Sequence, residues 1–267
     1  MQYSKIRRES QAVSSDLHID TLPKIRHNIL WKNEADPCAG TAPEGGMPRK
    51  KGVRAMAIKL IQYPHRQGNV PLRLATGHFA TSHSHLNYYI DMTMTKHRLS
   101  EARDAAVMLC SKFNASTIID TILCLDGTEV IGACMASELT RAGYMNMNAH
   151  RTIYVATPEH TSGSQLIFRD NTAPMIAGKH VLVLAASVAT GYTAQAAVEA
   201  IRYYSGIPVG ICSIFACVEQ CEGFPVISIY SKQDLDGYAS YPSRDCPLCR
   251  AGVKLDALVN SHGISSF

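Results

Sequence analysis

The sequence predicts an α/β protein built on a parallel sheet covered by helices, and three observations predict it. After residue 56, apolar runs of strand length alternate with segments of helical spacing. Two of those runs, at Thr117–Leu125 and His180–Ala185, are almost continuously apolar, as a strand buried on both faces requires. The 267 residues are 46% hydrophobic and 18% charged, enough to bury a sizeable core in one large domain or two small ones.

The elements follow in order. Ile58–Tyr63, Leu72–Ala75 and Asn87–Met92 read as short strands. Over Ser100–Phe113, helical spacing puts Ala105, Ala106, Leu109 and Phe113 on one side. Thr117–Leu125 is the first buried strand, and Thr128–Ala142 is a helix stopped at Gly143. Arg151–Ala156 and His180–Ala185 are further strands. Gly191–Tyr204 is a helix closed by Gly206-Ile207-Pro208, followed by a strand over Pro208–Ala216 and a short one at Val226–Tyr230. Sheets of this type bind ligands at the carboxyl ends of their strands.

Residues 1–55 differ in kind. Asp36-Pro37-Cys38-Ala39-Gly40, Pro43-Glu44-Gly45-Gly46-Met47-Pro48 and Arg49-Lys50-Lys51 show no long period, and predict a low-order leader with one short helix near 20–31. The leader holds 10 Lys/Arg against 6 Asp/Glu, whereas residues 56–267 hold 16 against 16. The net charge of +4 therefore belongs to the leader, and the globular part offers no basic face for nucleic acid. The leader is either an extension upstream of a start at Met56 or a basic tethering arm; loose termini are common, which favours the first. The absence of an 18-residue apolar run excludes a membrane-spanning helix, and the N-terminus carries no secretory signal. Nine cysteines without a short disulfide framework point to a reducing cytoplasm.

The most informative stretch runs from Val181 to Thr193: a buried strand, a short turn and a helix opening at Thr190-Gly191-Tyr192-Thr193. Backbone N–H groups at a helix start, together with the helix dipole, favour an anion. Gly191 permits close approach, and Thr190 and Thr193 supply hydroxyl donors. A Thr-capped turn without a ligand would look the same locally. The stretch is neither a Walker A loop nor a dinucleotide fingerprint.

This stretch resembles the phosphoribosyl-diphosphate loop of type I phosphoribosyltransferases. Two more segments resemble the orotate branch of that family: Gly77-His78-Phe79-Ala80-Thr81-Ser82-His83-Ser84-His85 with Tyr88-Tyr89, and Asp245-Cys246-Pro247-Leu248-Cys249-Arg250-Ala251-Gly252-Val253. The resemblance implies the type I phosphoribosyltransferase fold over 56–267: a five-stranded parallel core flanked by helices, with a small hood from N-terminal strands (about 58–92) and the C-terminal tail (about 226–267). It also implies a homodimer, Mg2+, and transfer of ribose 5-phosphate from phosphoribosyl diphosphate to a pyrimidine base, orotate giving orotidine 5′-monophosphate. The alternative is a weak or inactive member that binds nucleotides in a regulatory role.

Residue by residue, the resemblance assigns Ala185, Ala186, Ser187, Val188, Ala189, Thr190, Gly191, Tyr192 and Thr193 to phosphoribosyl-diphosphate binding. The family's two acids are replaced by Ala185 and Ala186, which cannot hold a ribose hydroxyl; Ser187 could replace part of one contact. The diphosphate loop falls on Asp126, Gly127, Thr128 and Glu129, whose acids repel diphosphate unless a metal intervenes. A mobile lid falls on 157–179, with His160 and Arg169 as its catalytic cations. Ser82, His85 and Tyr89 fall in the base or hood segment. The family's orotate-binding Arg has no counterpart in Phe215–Cys221, its base-contacting Thr corresponds to Ala189, and Arg244 and Arg250 are the candidate replacements for the charge.

Cys217, Cys221, Cys246 and Cys249 could form a four-thiolate zinc site if their two loops met; a cysteine-rich reduced surface is the plainer reading. His83 and His85, two apart on a strand, share a face and could bind a metal. Cys110, Cys124, Cys134 and Cys212 lie in apolar elements and read as core.

Overall fold

The computed structural model describes residues 58–63, 69–82, 84–113, 117–141, 147–149, 151–161 and 165–267. The leader, its short helix, Met56, His83 and residues 162–164 of the expected lid lie outside the described residues. In chain order the first elements are strands β1 (Ile61–Tyr63), β2 (Leu72–Ala80) and β3 (Ser84–Asp91), then helices α1 (Thr93–His97) and α2 (Leu99–Cys110). Next come β4 (Thr121–Cys124), α3 (Glu129–Leu139), β5 (Tyr154–Ala156), β6 (Glu159–His160), β7 (Leu166–Ile167), β8 (His180–Val188) and α4 (Tyr192–Tyr203). Then follow β9 (Ile207–Ala216), β10 (Gln220–Cys221), β11 (Phe224–Ser231), β12 (Ser240–Pro242), α5 (Pro247–Arg250), β13 (Ala257–Asn260) and β14 (Gly263–Ser266).

Strands β11, β9, β8, β4 and β5 form a parallel sheet in that order, with β10 antiparallel on the outside. The central strand β8 is apolar from Val181 to Ala186 because both of its faces are covered there. Leu182, Leu184 and Ala186 pack with Ala102 and Leu109 of α2 and Ile131 and Met135 of α3. Val181, Val183 and Ala185 pack on the opposite side with Ala197, Val198 and Ile201 of α4. This three-layer arrangement is the expected α/β class.

A second sheet forms the hood, in the order β12-β3-β2-β13-β14 with β1 also on β2. Its strands come from both flanks of the core, as expected. Its tail contribution starts later than residue 226, because β11 pairs in parallel with β9 inside the core sheet. Several pieces were not legible in the sequence: α1, in the Met- and Thr-rich stretch after β3, the short strands β6, β7, β10 and β12, the one-turn α5, and the β13–β14 hairpin. The elements that were read keep their places with shifted ends: β2 and β3 run longer, and β4 shrinks to four residues.

Polar ties fasten the hood to the core and close the hood itself. Arg73 on β2 makes a two-pronged ion pair with Glu101 on α2, at 2.8 and 2.9 Å. The amide of His78 donates to the Asp256 carboxylate at 2.8 Å, beside the parallel pairing of β2 with β13.

Candidate functional site

A cavity of about 370 Å3 opens where the carboxyl end of β8 faces the hood. That size suits a small organic ligand. Its floor is the turn from Ala186 to Thr193; its walls come from β3 and α1, and its roof from Val259, Asn260 and Ser261 of the tail.

The floor follows from the local sequence. Strand β8 ends at Val188, and Ala189 and Thr190 are exposed. Gly191 takes φ +89°, a left-handed conformation that a side chain resists, and starts α4 without any side-chain cap. The helix start thus presents its backbone donors and positive dipole end to the cavity, with the exposed Thr193 beside them. The turn is braced from behind: the Cys217 amide donates to the Val188 carbonyl at 2.9 Å, and the Cys221 thiol reaches the Gly191 carbonyl at 3.7 Å.

Across the cavity sit Lys96 and Asp126, the one cation and the one carboxylate lining it among the described residues. Lys96 is 6% exposed; its ammonium donates to the carbonyls of Asp126 at 2.8 Å and Ser261 at 2.6 Å. Burial pushes the Lys96 ammonium below its ordinary range, opposed by Asp126, Glu129 and Asp91. Asp126 adopts φ +58° in the tight turn after β4. Burial pushes its carboxyl up, while Lys96 and a hydrogen bond from the Ala186 amide hold it down. A carboxylate therefore stands at the backbone of Ala186, supplied by a neighbouring strand's turn rather than by the side chain at 186.

The structure sorts the sequence-predicted residues. Ala186, Ser187, Val188, Ala189, Thr190, Gly191, Tyr192 and Thr193 all line the cavity. Ala185 does not: it is 1% exposed and packs toward α4. In the loop after β4, Asp126 faces the cavity, whereas Thr128 is fully buried and its hydroxyl donates to the carbonyls of Leu125 (2.8 Å) and Leu184 (3.1 Å). Thr128 thus clamps the loop to β8 and is not free to meet diphosphate. Gly127, at φ +77°, makes the turn possible, and Glu129 is exposed outside the cavity lining.

Ser82 and Tyr89 line the cavity. Tyr89 is buried beside Asp91, which with burial raises its hydroxyl to about 12. His85 points elsewhere, to Cys249 at 3.2 Å. In the expected lid, His160 and Arg169 are exposed and do not line the cavity; Arg169 is held by Glu159 at 2.6 and 2.7 Å. His160 does act electrostatically on Asp126. Arg250 pairs with Asp245 at 3.0 Å, and neither Arg244 nor Arg250 lines the cavity. The four-thiolate grouping is corrected: Cys246 and Cys249 meet His78 and His85, while Cys217 and Cys221 brace the turn at 188–191.

Sequence reasoning missed Lys96 and the tail residues of the roof. A lone lysine in Met92-Thr93-Met94-Thr95-Lys96, just after an apolar strand, was the available signal. The roof gave none, because Asn260 and Ser261 look like any polar turn.

No protein-family model and no curated protein matches the chain. Solved structures do resemble it in shape. A phosphoribosyltransferase from Corynebacterium diphtheriae aligns at 18% identity over 59% of this chain and 89% of its own, with a TM-score of 0.43. Orotate phosphoribosyltransferase from Mycobacterium tuberculosis aligns at 16% over 57% and 85%, TM-score 0.40. UMP synthase from Leishmania donovani aligns at 17% over 60% of this chain and 34% of its own, TM-score 0.44. At such identities function has to be argued from the chain's own residues.

Proposed function

We propose that the cavity binds a 5′-phosphorylated ribose, with the phosphate on the 189–193 turn, and that the chain is a phosphoribosyltransferase of the orotate type. The observation that carries this reading is the open turn at Gly191, whose uncapped helix start faces a cavity large enough for a sugar phosphate. The order and content of the three sequence motifs support the reaction class: ribose 5-phosphate passes from phosphoribosyl diphosphate to a base nitrogen, and diphosphate leaves.

In this reading Thr190 and Thr193 donate to the phosphate. Asp126 takes over the ribose side from the missing acids at 185 and 186, and Lys96 balances the charge of the leaving diphosphate. Tyr89 and Tyr238 form the aromatic wall of the cavity on which a flat base would lie. The donor set fits Mg2+ in a minimal way: it offers one carboxylate, Asp126, and Mg2+ is commonly held by one or two carboxylates plus substrate phosphates. When bound, that ion would neutralise diphosphate. His160 and Arg169 serve the diphosphate of a partner subunit in a homodimer, and the setting is cytoplasmic.

A second reading is favoured by one observation, the buried Ala185 and the alanine at 186: a member that binds nucleoside monophosphate without turnover. Calorimetry with phosphoribosyl diphosphate and Mg2+, run beside an orotate-consumption assay, separates the two. Binding with orotate consumption is expected. Binding of a monophosphate without consumption would select the second reading. The Thr190→Val/Thr193→Val double variant is expected to weaken phosphate binding more than about tenfold, since each charged hydrogen bond contributes about 1.5–3 kcal/mol. Unchanged affinity would reject the cradle under both readings.

A further inference from the structure

Outside the cavity, four metal-ligating side chains converge: His78 and His85 from the β2–β3 hairpin, and Cys246 and Cys249 from the tail. Their ligand atoms all lie within 4.8 Å of one another. His78 Nε2 is 3.1 Å from His85 Nδ1, 3.4 Å from Cys246 Sγ and 3.6 Å from Cys249 Sγ. Cys249 Sγ is 3.2 Å from His85 Nδ1. A tetrahedron with metal–nitrogen bonds of about 2.0–2.1 Å and metal–sulfur bonds of about 2.3 Å has edges of roughly 3.3–3.8 Å. The observed separations are close to those edges.

The sequence brings the four together for traceable reasons. Ala80 and His85 are cross-strand partners, and His78, two residues before Ala80, lies at the irregularity in the β2–β3 pairing between Thr76 and Phe79, from where its ring reaches His85. Cys246 and Cys249 are three apart on one turn: the Arg250 amide closes it on the Cys246 carbonyl at 3.2 Å. The His78 ring is already oriented. It is 1% exposed, and its Nδ1 lies 2.9 Å from the Val253 carbonyl. A carbonyl can only accept, so Nδ1 carries the proton and Nε2 turns its lone pair into the cluster. That single lone pair faces three neighbours, more than one hydrogen bond can serve but as a metal centre would arrange them.

We propose that His78, His85, Cys246 and Cys249 bind one Zn2+ as a closed structural site. Two thiolates and two imidazoles in tetrahedral array match zinc in softness and geometry. All four positions are taken by protein, so no place is left for a catalytic water. Entry of the ion releases one proton from each thiol, and the Val253 carbonyl holds His78 from behind. The site clips the tail to the hairpin just before β13, and β13 and the turn after it carry the roof residues Val259, Asn260 and Ser261. This holds whatever the cavity binds.

The test uses the full chain produced with zinc in the medium and purified without chelator. Elemental analysis is expected to find about one zinc per chain. Replacing zinc by Co2+ is expected to give the visible bands of a tetrahedral thiolate-bound cobalt ion. Cys249→Ser and His85→Ala are expected to lower zinc affinity at least tenfold, whereas Cys217→Ser and Cys221→Ser retain one equivalent. A wild-type chain with less than a tenth of an equivalent of zinc and no tetrahedral cobalt spectrum would overturn the site, leaving a hydrogen-bonded cluster only. Full zinc retention in both cluster variants, or iron in place of zinc, would overturn it equally. The wild-type cobalt titration stands even where a variant fails to fold.

Discussion

The parallel core and the hood differ in how far apolar burial alone holds them. In the core, Val181, Leu182, Val183 and Leu184 are fully buried between two helix layers, and burial of contiguous apolar runs sets the geometry. The hood's own apolar cluster holds Ala75, Phe79, Tyr89, Ala257 and Val259 as buried members, and Leu72 and Leu74 on the other face of β2 join the core cluster beside α2. Polar ties add to this apolar contact: Arg73 to Glu101, the His78 amide to Asp256, Lys96 to Ser261, and the four-ligand cluster. A small sheet drawn from distant segments cannot bury enough surface to hold itself, and needs such ties. The cavity lies between these two regimes, with a rigid floor and a tied roof.

Four substitutions sharpen the contrast. The largest effect is expected from Ala185→Asp, which would place an unpaired carboxylate against α4 and cost about 3–5 kcal/mol; urea unfolding measures it. Ala186→Asp, where the core cluster of α2 and α3 meets the cavity lining, should cost clearly less, and equal losses would mean that the cavity gives a carboxylate at 186 no relief. Next comes Glu101→Gln, which breaks the tie between β2 and α2 at a cost of about 2 kcal/mol. The hydrogen bond from Arg73 holds the Glu101 carboxyl below the ordinary carboxylate range. Its contribution is therefore full above that range and fades as pH falls through the lowered value. Unfolding curves of wild type and Glu101→Gln should converge in acid and diverge near neutrality; a gap independent of pH would show that the tie does not depend on charge. The smallest effect is Gly191→Ala, at about 1 kcal/mol for the left-handed backbone. A Cβ there would lie 3.5 Å from the Cys221 thiol, ordinary contact, so strain and not collision sets the cost. Calorimetry should register weaker phosphate binding in that variant with the fold intact.

The same contrast governs what was legible in the sequence. The core strands and the turn after β8 could be read directly, because a buried parallel strand is an apolar run and the turn sits between two strong patterns. For that reason Thr190, Gly191 and Thr193 could be located at a strand-to-helix turn from the sequence, and they line the cavity there. The distinction between Ala185 and Ala186 was not legible, since only pairing fixes which face of β8 each one takes. Thr128 looked like a ligand and is held as a clamp, because one carbonyl it serves follows β4 and the other lies on β8. The metal ligands were half read: Cys246 and Cys249 announced themselves by spacing, but their partners lie about 160 residues upstream, and only the folded hairpin shows that they are His78 and His85.

The roof of the cavity follows the entire parallel sheet in sequence: β13 begins at Ala257, after every strand of the core. During synthesis, the core and the turn after β8 can therefore fold while the pocket is still uncovered. A cut at the exposed Lys254, between the clustered cysteines and β13, would uncouple the roof strand from the chain while leaving every strand of the core intact. The cover of the cavity is in this sense the last thing the polypeptide acquires and the first that a protease would sever from it.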